Sequence, residues 1–481
     1  MALRRLLLAL AILAATGAGA HAQLLGGIGG LGAGGLSPGG LSPGGVGGLP
    51  PNVPITRIPG SIAAPSVSAP MSVPSNPVSA ATQPLSTVTP AVTGAASTEA
   101  NSLTQNLRAI AATAGRDLVG RPLDQAVLGR DARGFPIVAG EVLAVSPTPE
   151  SLAVARRLNF RILRQDQLDA LGLSSTVLAT PDGMDAAQAL LALRQADPAG
   201  TYDYANIYNP TGDPAVGVLP ANGSNTPDLL TPPTATQALR IGMIDGGVES
   251  RHSALATIRV VSRNFAGGGS PPVSAHGTAI ASLLAGTDKG FSGYAPGATV
   301  YAADVFGGEP GGGSAAEIAS ALNWLAENNV AVVNISLAGP PNALLGAAVK
   351  AFVGSGHVLV AAAGNDGPAA PPNYPAAYPG VIGVTAADAA HHLALDANRG
   401  AARFAALGVN VRAAALPSGY GMASGTSYAS PLVAARFALL VAVPDRDNCQ
   451  AALTILSHET IPISASNIGY LSPPPDRVAA R

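Results

Sequence analysis

From Leu239 onward the chain is built from short, uninterrupted apolar runs separated by alanine-rich stretches of helical period. "LRIGMID", "ATVYAADVF", "VAVVNISL", "HVLVAAAG" and "VIGVTAA" are apolar at successive positions, not at alternate ones. A strand that is apolar on both faces must be covered on both, which is the situation in a parallel sheet flanked by helices. "SAAEIASALNWLAENN" and "NALLGAAVKAFVGSG" lie between the runs and supply such helices. The expected fold class is therefore α/β, with a doubly wound parallel sheet. Chemistry in such sheets sits beyond the carboxyl ends of the strands.

Polar residues stand at several of those positions. Asp245 ends "RIGMID" and runs into the turn Gly246-Gly247. His276 precedes "GTAIASLLAG", a helix start with Gly277 and Thr278 beside it. Ser427 opens "SYASPLVAARFALLV", where Pro431 is expected in the first helical turn, before N–H groups need partners. Each has an ordinary structural explanation. Asp245 suits a strand-end turn, His276 a helix cap, and Ser427 an N-cap accepting from an early helical N–H. Asn365, in "GND", suits a turn. Taken together, Asp, His and Ser in this order along an α/β chain form one of the known arrangements of a nucleophilic triad.

Residues 237 to about 475 resemble the subtilisin-family (subtilase) serine peptidases. The resemblance is carried by "IGMIDGGVESRHSAL", "HGTAIASLLAG", "VLVAAAGNDGP" and "SGTSYASPLVAA", in the family's order and spacing. It implies a serine endopeptidase with Asp245, His276 and Ser427 as the triad and Asn365 in the oxyanion hole. A serine hydroxyl is a weak nucleophile until an imidazole takes its proton; His276 would do that, with Asp245 fixing its tautomer. The resemblance also implies substrate-binding backbone at Ser336, Leu337, Ala338, Gly339, Ala362 and Gly364. These walls are uncharged and point to medium or large apolar side chains before the cut, with Ala338 narrowing the slot. His252 falls on a family histidine that takes no part in catalysis, and His391-His392 on a variable loop. Four features depart from the pattern. Gly246 replaces a Thr or Ser, Tyr428 a Met or Phe, and Ser430 an Ala, while the segment before Gly425 lacks Ala-Pro-Gly. The first removes a hydroxyl that would support the aspartate.

Upstream, residues 139–210 read as a βαββαβ unit, a small α+β ferredoxin-like plait. "EVLAVS", "FRILRQD", "STVLATP" and "TYDYANIYNP" are its strands. "TPESLAVARRLN", with Thr148 as cap and Pro149 at the first helical position, and "MDAAQALLALRQADPAG" are its helices. Subtilases are commonly made with a propeptide of this shape that inhibits the enzyme, and "TYDYANIYNP" resembles the end of one. The resemblance implies a self-processed zymogen cut within about 208–238, the plait being its intramolecular inhibitor. Residues 211–236 have linker composition, and 101–138 a short helical connector.

The chain has 58 Gly and 42 Pro among 481 residues, more than element interiors tolerate. Much of this falls in residues 23–100, a low-complexity segment containing the repeat "GGLSPGGLSPGG" and expected to be a flexible spacer. Residues 1–22 read as a secretory signal peptide. Arg4 and Arg5 precede a short apolar stretch, and Ala20-His21-Ala22 gives small residues at the cleavage position. Export to the periplasm, cell surface or medium is expected, with no membrane span in the mature chain. Only 11% of residues are charged and the net charge is −2, so nucleic acid is excluded as a partner. The single cysteine, Cys449, excludes an intramolecular disulfide and reads as structural. No carboxylate-rich loop marks a calcium site. No metal and no cofactor are expected, and the partners are protein or peptide substrates of a monomer. The competing expectation is a catalytically weak or inactive subtilase-fold binding or regulatory protein, spoiled by the Gly246 change or by a retained prodomain.

Overall fold

The computed structural model describes residues 128–473 except 213–215, 220–238, 268, 309–311 and 464–465. The expected signal peptide, the Gly/Pro-rich segment and the helical pattern at 102–118 lie outside the described residues.

The first sheet contains β1 (Leu128–Arg130), β2 (Pro136–Val145), β3 (Arg161–Leu168), β4 (Leu173–Ala179) and β5 (Thr201–Asn206). Helix α1 (Pro149–Arg157) joins β2 to β3, and α2 (Ala186–Ala196) joins β4 to β5. The strands lie in the order β3-β4-β2-β5, all antiparallel, with β1 paired to the start of β2. This is the expected plait, but it starts before residue 139, because β1 and Pro136–Val138 occupy the stretch read as helical connector. Gly140, at φ 71°, falls where the β2–β5 register shifts and lets one long strand bend between two sets of partners. Thr148 caps α1 through the Ser151 N–H, and Asp185 and Gln188 close a reciprocal capping box on α2.

After β6 (Asn209–Pro210) and β7 (Val216–Leu219), the second sheet begins with β8 (Arg240–Asp245) and β9 (Val260–Asn264). A small hairpin, β10 (Thr287–Asp288) and β11 (Phe291–Ser292), precedes β12 (Thr299–Asp304) and β13 (Val332–Ile335). Next come the short β14 (Leu337–Ala338), then β15 (Val358–Ala362), β16 (Ile382–Ala387) and β17 (Phe404–Leu407). The ribbon β18 (Val411–Ala414) and β19 (Tyr420–Ala423) follows, and β20 (Ile461–Pro462) and β21 (Gly469–Tyr470) close the chain. The sheet order is β20-β21-β17-β16-β15-β13-β8-β12-β9, parallel except for the β20–β21 pair. Strand order reverses at β8, so the carboxyl end of β8, which is Asp245, marks the switch point where such sheets hold their sites.

Helices α3 (Ala275–Ala285), α4 (Ala315–Glu327), α5 (Ala343–Gly354), α6 (Thr426–Ala438) and α7 (Arg446–His458) cover the sheet. Consecutive strand residues serve opposite faces. Val332 packs with Met243, Val300, Val360 and Val384 in the core that holds α3 and α6. Val333 packs with Ile244, Ala303 and Leu359 in the core that holds α4 and α5. This is why the strands read as unbroken apolar runs. The plait extends the second core. Leu143, Leu168, Val177 and Ala205 join it, while Val142, Leu178, Leu193 and Tyr202 pack on the plait's own helices. One face of the small sheet is thus completed only by α4 and α5.

His357 is an acid-sensitive element of the fold. Its ring stacks on Phe352 with ring centroids 4.3 Å apart, and its Nε2 is buried without a hydrogen-bond partner among the described residues. Burial pushes the imidazole down to about 4. The unfolded side chain takes up a proton below about 6.5, so stability present above that pH is lost as pH falls toward 4. The thermal midpoint is expected to drop across this window, and His357→Phe, which keeps the stack, is expected to flatten that part of the profile in a calorimetric pH series.

Candidate active site

The site begins where β8 meets α3. Both oxygens of Asp245 lie 2.9 Å from His276 Nδ1, and the two side chains are buried. The Gly246 N–H donates to Asp245 Oδ1 at 2.7 Å. A carboxylate so placed keeps the proton on Nδ1 and leaves Nε2 as an acceptor, the tautomer a general base needs. His276 is not a cap. It sits in the first turn of α3, whose N-cap is Ser274, accepting from Gly277 N.

Close backbone approach at this junction is permitted by glycine. A Cβ at Gly277 would lie 2.2 Å from Gly246 O, and one at Gly247 would lie 2.1 Å from Pro272 O. At Gly246 the obstruction is a side chain, with Ser274 Cβ 2.6 Å and Ser274 Oγ 2.7 Å from a built Cβ. The hydroxyl absent after Asp245 therefore has no room here, because Ser274 already occupies that space.

Ser427 is likewise not an N-cap. Helix α6 starts at Thr426 with Gly425 as N-cap, so Ser427 is its second residue. Pro431 consequently lies past the first turn, contrary to expectation. It cannot donate to the carbonyl four residues back, which is that of Ser427. That carbonyl accepts instead from Ser336 Oγ at 3.2 Å and Ser430 Oγ at 3.3 Å, so the unusual Ser430 helps satisfy it. Tyr428 packs its ring 5.6 Å from the His276 ring.

Asn365 accepts the Thr426 N–H on Oδ1 at 3.1 Å. A Cβ at Gly425 would lie 2.8 Å from Asn365 Nδ2 and 3.0 Å from Thr211 O, so the amide and that carbonyl border the same small space. The backbone expected from sequence to bind substrate is paired with the chain's own residues Asn209 and Pro210. β14 pairs antiparallel with β6, Leu337 opposite Pro210 and Ala338 opposite Asn209. Ser336 O accepts Thr211 N at 3.1 Å, Tyr208 N donates to Gly313 O at 2.9 Å, and Ile207 bridges to Ser314. Residues 207–211 thus lie between two edges of the large domain. Tyr208 is fully buried with its OH donating to Pro340 O at 2.6 Å, and Gly339 makes room for its ring. Ala362 is a buried residue of β15, and Gly364 holds Thr426 through its N–H.

Thr211 and Gly212, read from sequence as the start of a linker, lie in the site itself. Ser427 N donates to Thr211 O at 3.1 Å. Ser427 Oγ lies 2.7 Å from Thr211 Oγ1 and donates to Ser336 O at 3.2 Å, whereas His276 Nε2 is buried with no partner among the described residues. A Cβ at Gly212 would meet the Tyr428 ring at 2.8 Å. Further along, β7 pairs with β19, so the linker reading also missed a strand. Beside Thr211 a cavity of about 410 Å³ is lined by Ala338, Asn365, Asp366, Asn373 and Asp396 among others. Two carboxylates and two amides thus stand beside the wall strands whose uncharged residues carried the expectation from sequence.

His252 is structural: Nδ1 accepts from Ala254 N and Nε2 donates to Gly419 O. His392 pairs with Asp388 at the surface. Cys449 donates to Gly356 O, with burial raising its thiol pKa. Among the described residues, no helix is long and apolar enough to cross a membrane.

The Gly246–Ser274 contact gives a direct test. Gly246→Thr alone is expected to destabilise the fold by about 1–3 kcal/mol through overpacking and to slow fluorophosphonate labelling. Gly246→Thr with Ser274→Gly is expected to regain most of both, as read by thermal midpoint and labelling rate.

Comparison with known proteins agrees with this architecture. The profile of the Subtilase family matches residues 236–461. Subtilisin DY of Bacillus licheniformis is 37% identical over 213 residues, covering 42% of this chain and 76% of that protein. Minor extracellular protease Epr of Bacillus subtilis (strain 168) is 34% identical over 206 residues, covering 42% of this chain but only 32% of its own length. Fervidolysin from Fervidobacterium pennivorans, described as a keratinolytic enzyme related to subtilisin, superposes with a TM-score of 0.55 at 20% identity. That superposition covers 70% of this chain and 60% of the fervidolysin chain, and it speaks to the fold alone. By its family profile and its identity to subtilisins, the chain belongs to the subtilase family.

Proposed function

We propose that this chain is a secreted serine endopeptidase, made as a zymogen that cuts itself at Thr211–Gly212. The observation that carries the proposal is the hydrogen bond from Ser427 N to Thr211 O. It marks the one carbonyl carbon that the nucleophile's own backbone N–H polarises, and the β6–β14 pairing presents it as a substrate strand.

Catalysis follows from the residues around that carbon. Ser427 Oγ attacks it while His276 Nε2 takes the hydroxyl proton, and Asp245 stabilises the resulting imidazolium. The oxyanion receives donors from Ser427 N–H and the Asn365 amide, at the N-terminus of α6, where the helix dipole favours negative charge. The C–N bond to Gly212 breaks, and His276 returns the proton to the new amine. Water then attacks the ester, again through His276, which frees Ser427 and leaves the Thr211 carboxylate.

The plait is suited to act as folding partner and inhibitor. Its apolar face is completed by α4 and α5. Arg164 pairs with Glu317 at 3.1 Å, and burial raises the Glu317 carboxyl even with that guanidinium beside it. Asp203 accepts from Ala343 N at 2.7 Å, at the N-terminus of α5, where a carboxylate is favoured. Asn342 donates to Tyr204 O and Asn206 Oδ1. Burying a ring the size of Tyr208 adds about 1.5–3 kcal/mol of grip.

N-terminal sequencing of the purified mature protein tests the assignment. A new terminus at Gly212 is expected, with Ser427→Ala remaining full length and unlabelled by fluorophosphonate. A fully active protein that retains the plait covalently would overturn it. Asn365→Leu is expected to lower kcat by about 10²–10³, the loss seen when the corresponding amide is removed from subtilisin itself.

A further inference from the structure

We propose that the side-chain hydroxyl of Thr211 is a brake on the first self-cleavage, holding Ser427 away from His276 while its carbonyl is already bound. This rests on the zymogen reading above.

Proton counting at the site carries the inference. Each hydroxyl has one proton to donate. Ser427 Oγ lies 2.7 Å from Thr211 Oγ1, where either hydroxyl can be the donor, and 3.2 Å from the Ser336 carbonyl oxygen, which can only accept. Its one proton goes to one of these two oxygens, and neither can act as a base. The base that should receive the proton, His276 Nε2, is buried with no hydrogen-bond partner among the described residues. Everything else about residues 207–211 is arranged as for a substrate.

Attack therefore requires Ser427 to leave both contacts and turn to His276. A residue of the same shape without the hydroxyl removes one of the two. The same hydroxyl would hold the Thr211 end in the site after the cut, so it slows cleavage and prolongs inhibition together. Better side-chain fit would instead make cleavage faster and inhibition longer.

The test uses the full-length precursor as wild type, Thr211→Val, Thr211→Ala and Thr211→Ser. Two quantities are followed: appearance of the Gly212 terminus by mass spectrometry, and the lag from that event to turnover of a small fluorogenic peptide. Since residue 211 leaves with the plait, the released enzyme is the same molecule in all four. Val and Ala are expected to cleave about three- to tenfold faster, the effect of one ordinary hydrogen bond, and to show a shorter lag. Ser is expected to stay near wild type, and its recovery identifies the hydroxyl instead of side-chain volume as the cause. The proposal is overturned if Val and Ala cleave no faster, if they cleave faster with a longer lag, or if Ser behaves as they do. Should wild type and variants all remain uncut at this bond, the zymogen reading falls and the brake with it.

Discussion

The contact between Asp245 and His276 governs the rest of the large domain. A buried carboxylate and a buried imidazole can coexist at low cost only when each satisfies the other, so the end of β8 and the start of α3 must come within hydrogen-bond reach. That proximity leaves no room for side chains on the backbone between them. Gly246, Gly247 and Gly277 are the result, each with another group standing where its Cβ would be. Gly246 thereby changes meaning. As a departure from the family it suggests a weakened triad, but in three dimensions it is one half of a pair whose other half is Ser274, and the Asp245–His276 bond beside it is intact at 2.9 Å.

Much of this was legible in the sequence. Uninterrupted apolar runs identified the five central strands because the sheet is covered on both faces, as Val332 and Val333 illustrate. Asp245, His276 and Ser427 stand out because strand ends and helix starts carry local punctuation, whereas Asn365 was singled out by the family resemblance alone. The misreadings also have physical causes. Pro431 suggested a helix starting later than it does, since no sequence pattern announces that Ser336 and Ser430, one of them from the distant junction of β13 and β14, will satisfy the freed carbonyl. β1 and β7 escaped notice because short strands in polar or glycine-bearing stretches are set by their tertiary partners, not by period. Asp366, Asn373 and Asp396 meet beside Thr211 only through folding. Thr211 itself looked like the first residue of a linker, because composition cannot distinguish a tether from an extended segment bound in a groove.

That ambiguity reflects a feature of extended recognition. The segment 207–211 gains its order from backbone pairing with β14 and from the buried Tyr208, five residues' work that leaves little trace in composition. Only Tyr208 needs a particular shape, and it is placed between Gly313 and Gly339, two positions where a side chain would meet its atoms. Ser274 and Gly339 thus belong to the same class of residue: neither is chemically reactive, yet each determines whether a neighbouring group can occupy its place.

A bound strand of this kind is not by itself a fast substrate. Interactions equally strong in the ground state and the transition state do not lower the barrier between them. The β6–β14 ladder, the Tyr208 anchor and the plait's packing on α4 and α5 are all complete before any bond is broken, so they raise occupancy of the site without accelerating attack. In the proposed mechanism, acceleration comes from contacts that improve as the oxyanion forms, namely those of Ser427 N–H, Asn365 and His276. In the arrangement described, one of these is made to the carbonyl, one is oriented, and the base stands unused because the nucleophile is committed elsewhere. On the proposed zymogen reading, the same groove serves inhibition and catalysis with one set of residues. What separates the two outcomes is the direction of a single hydroxyl.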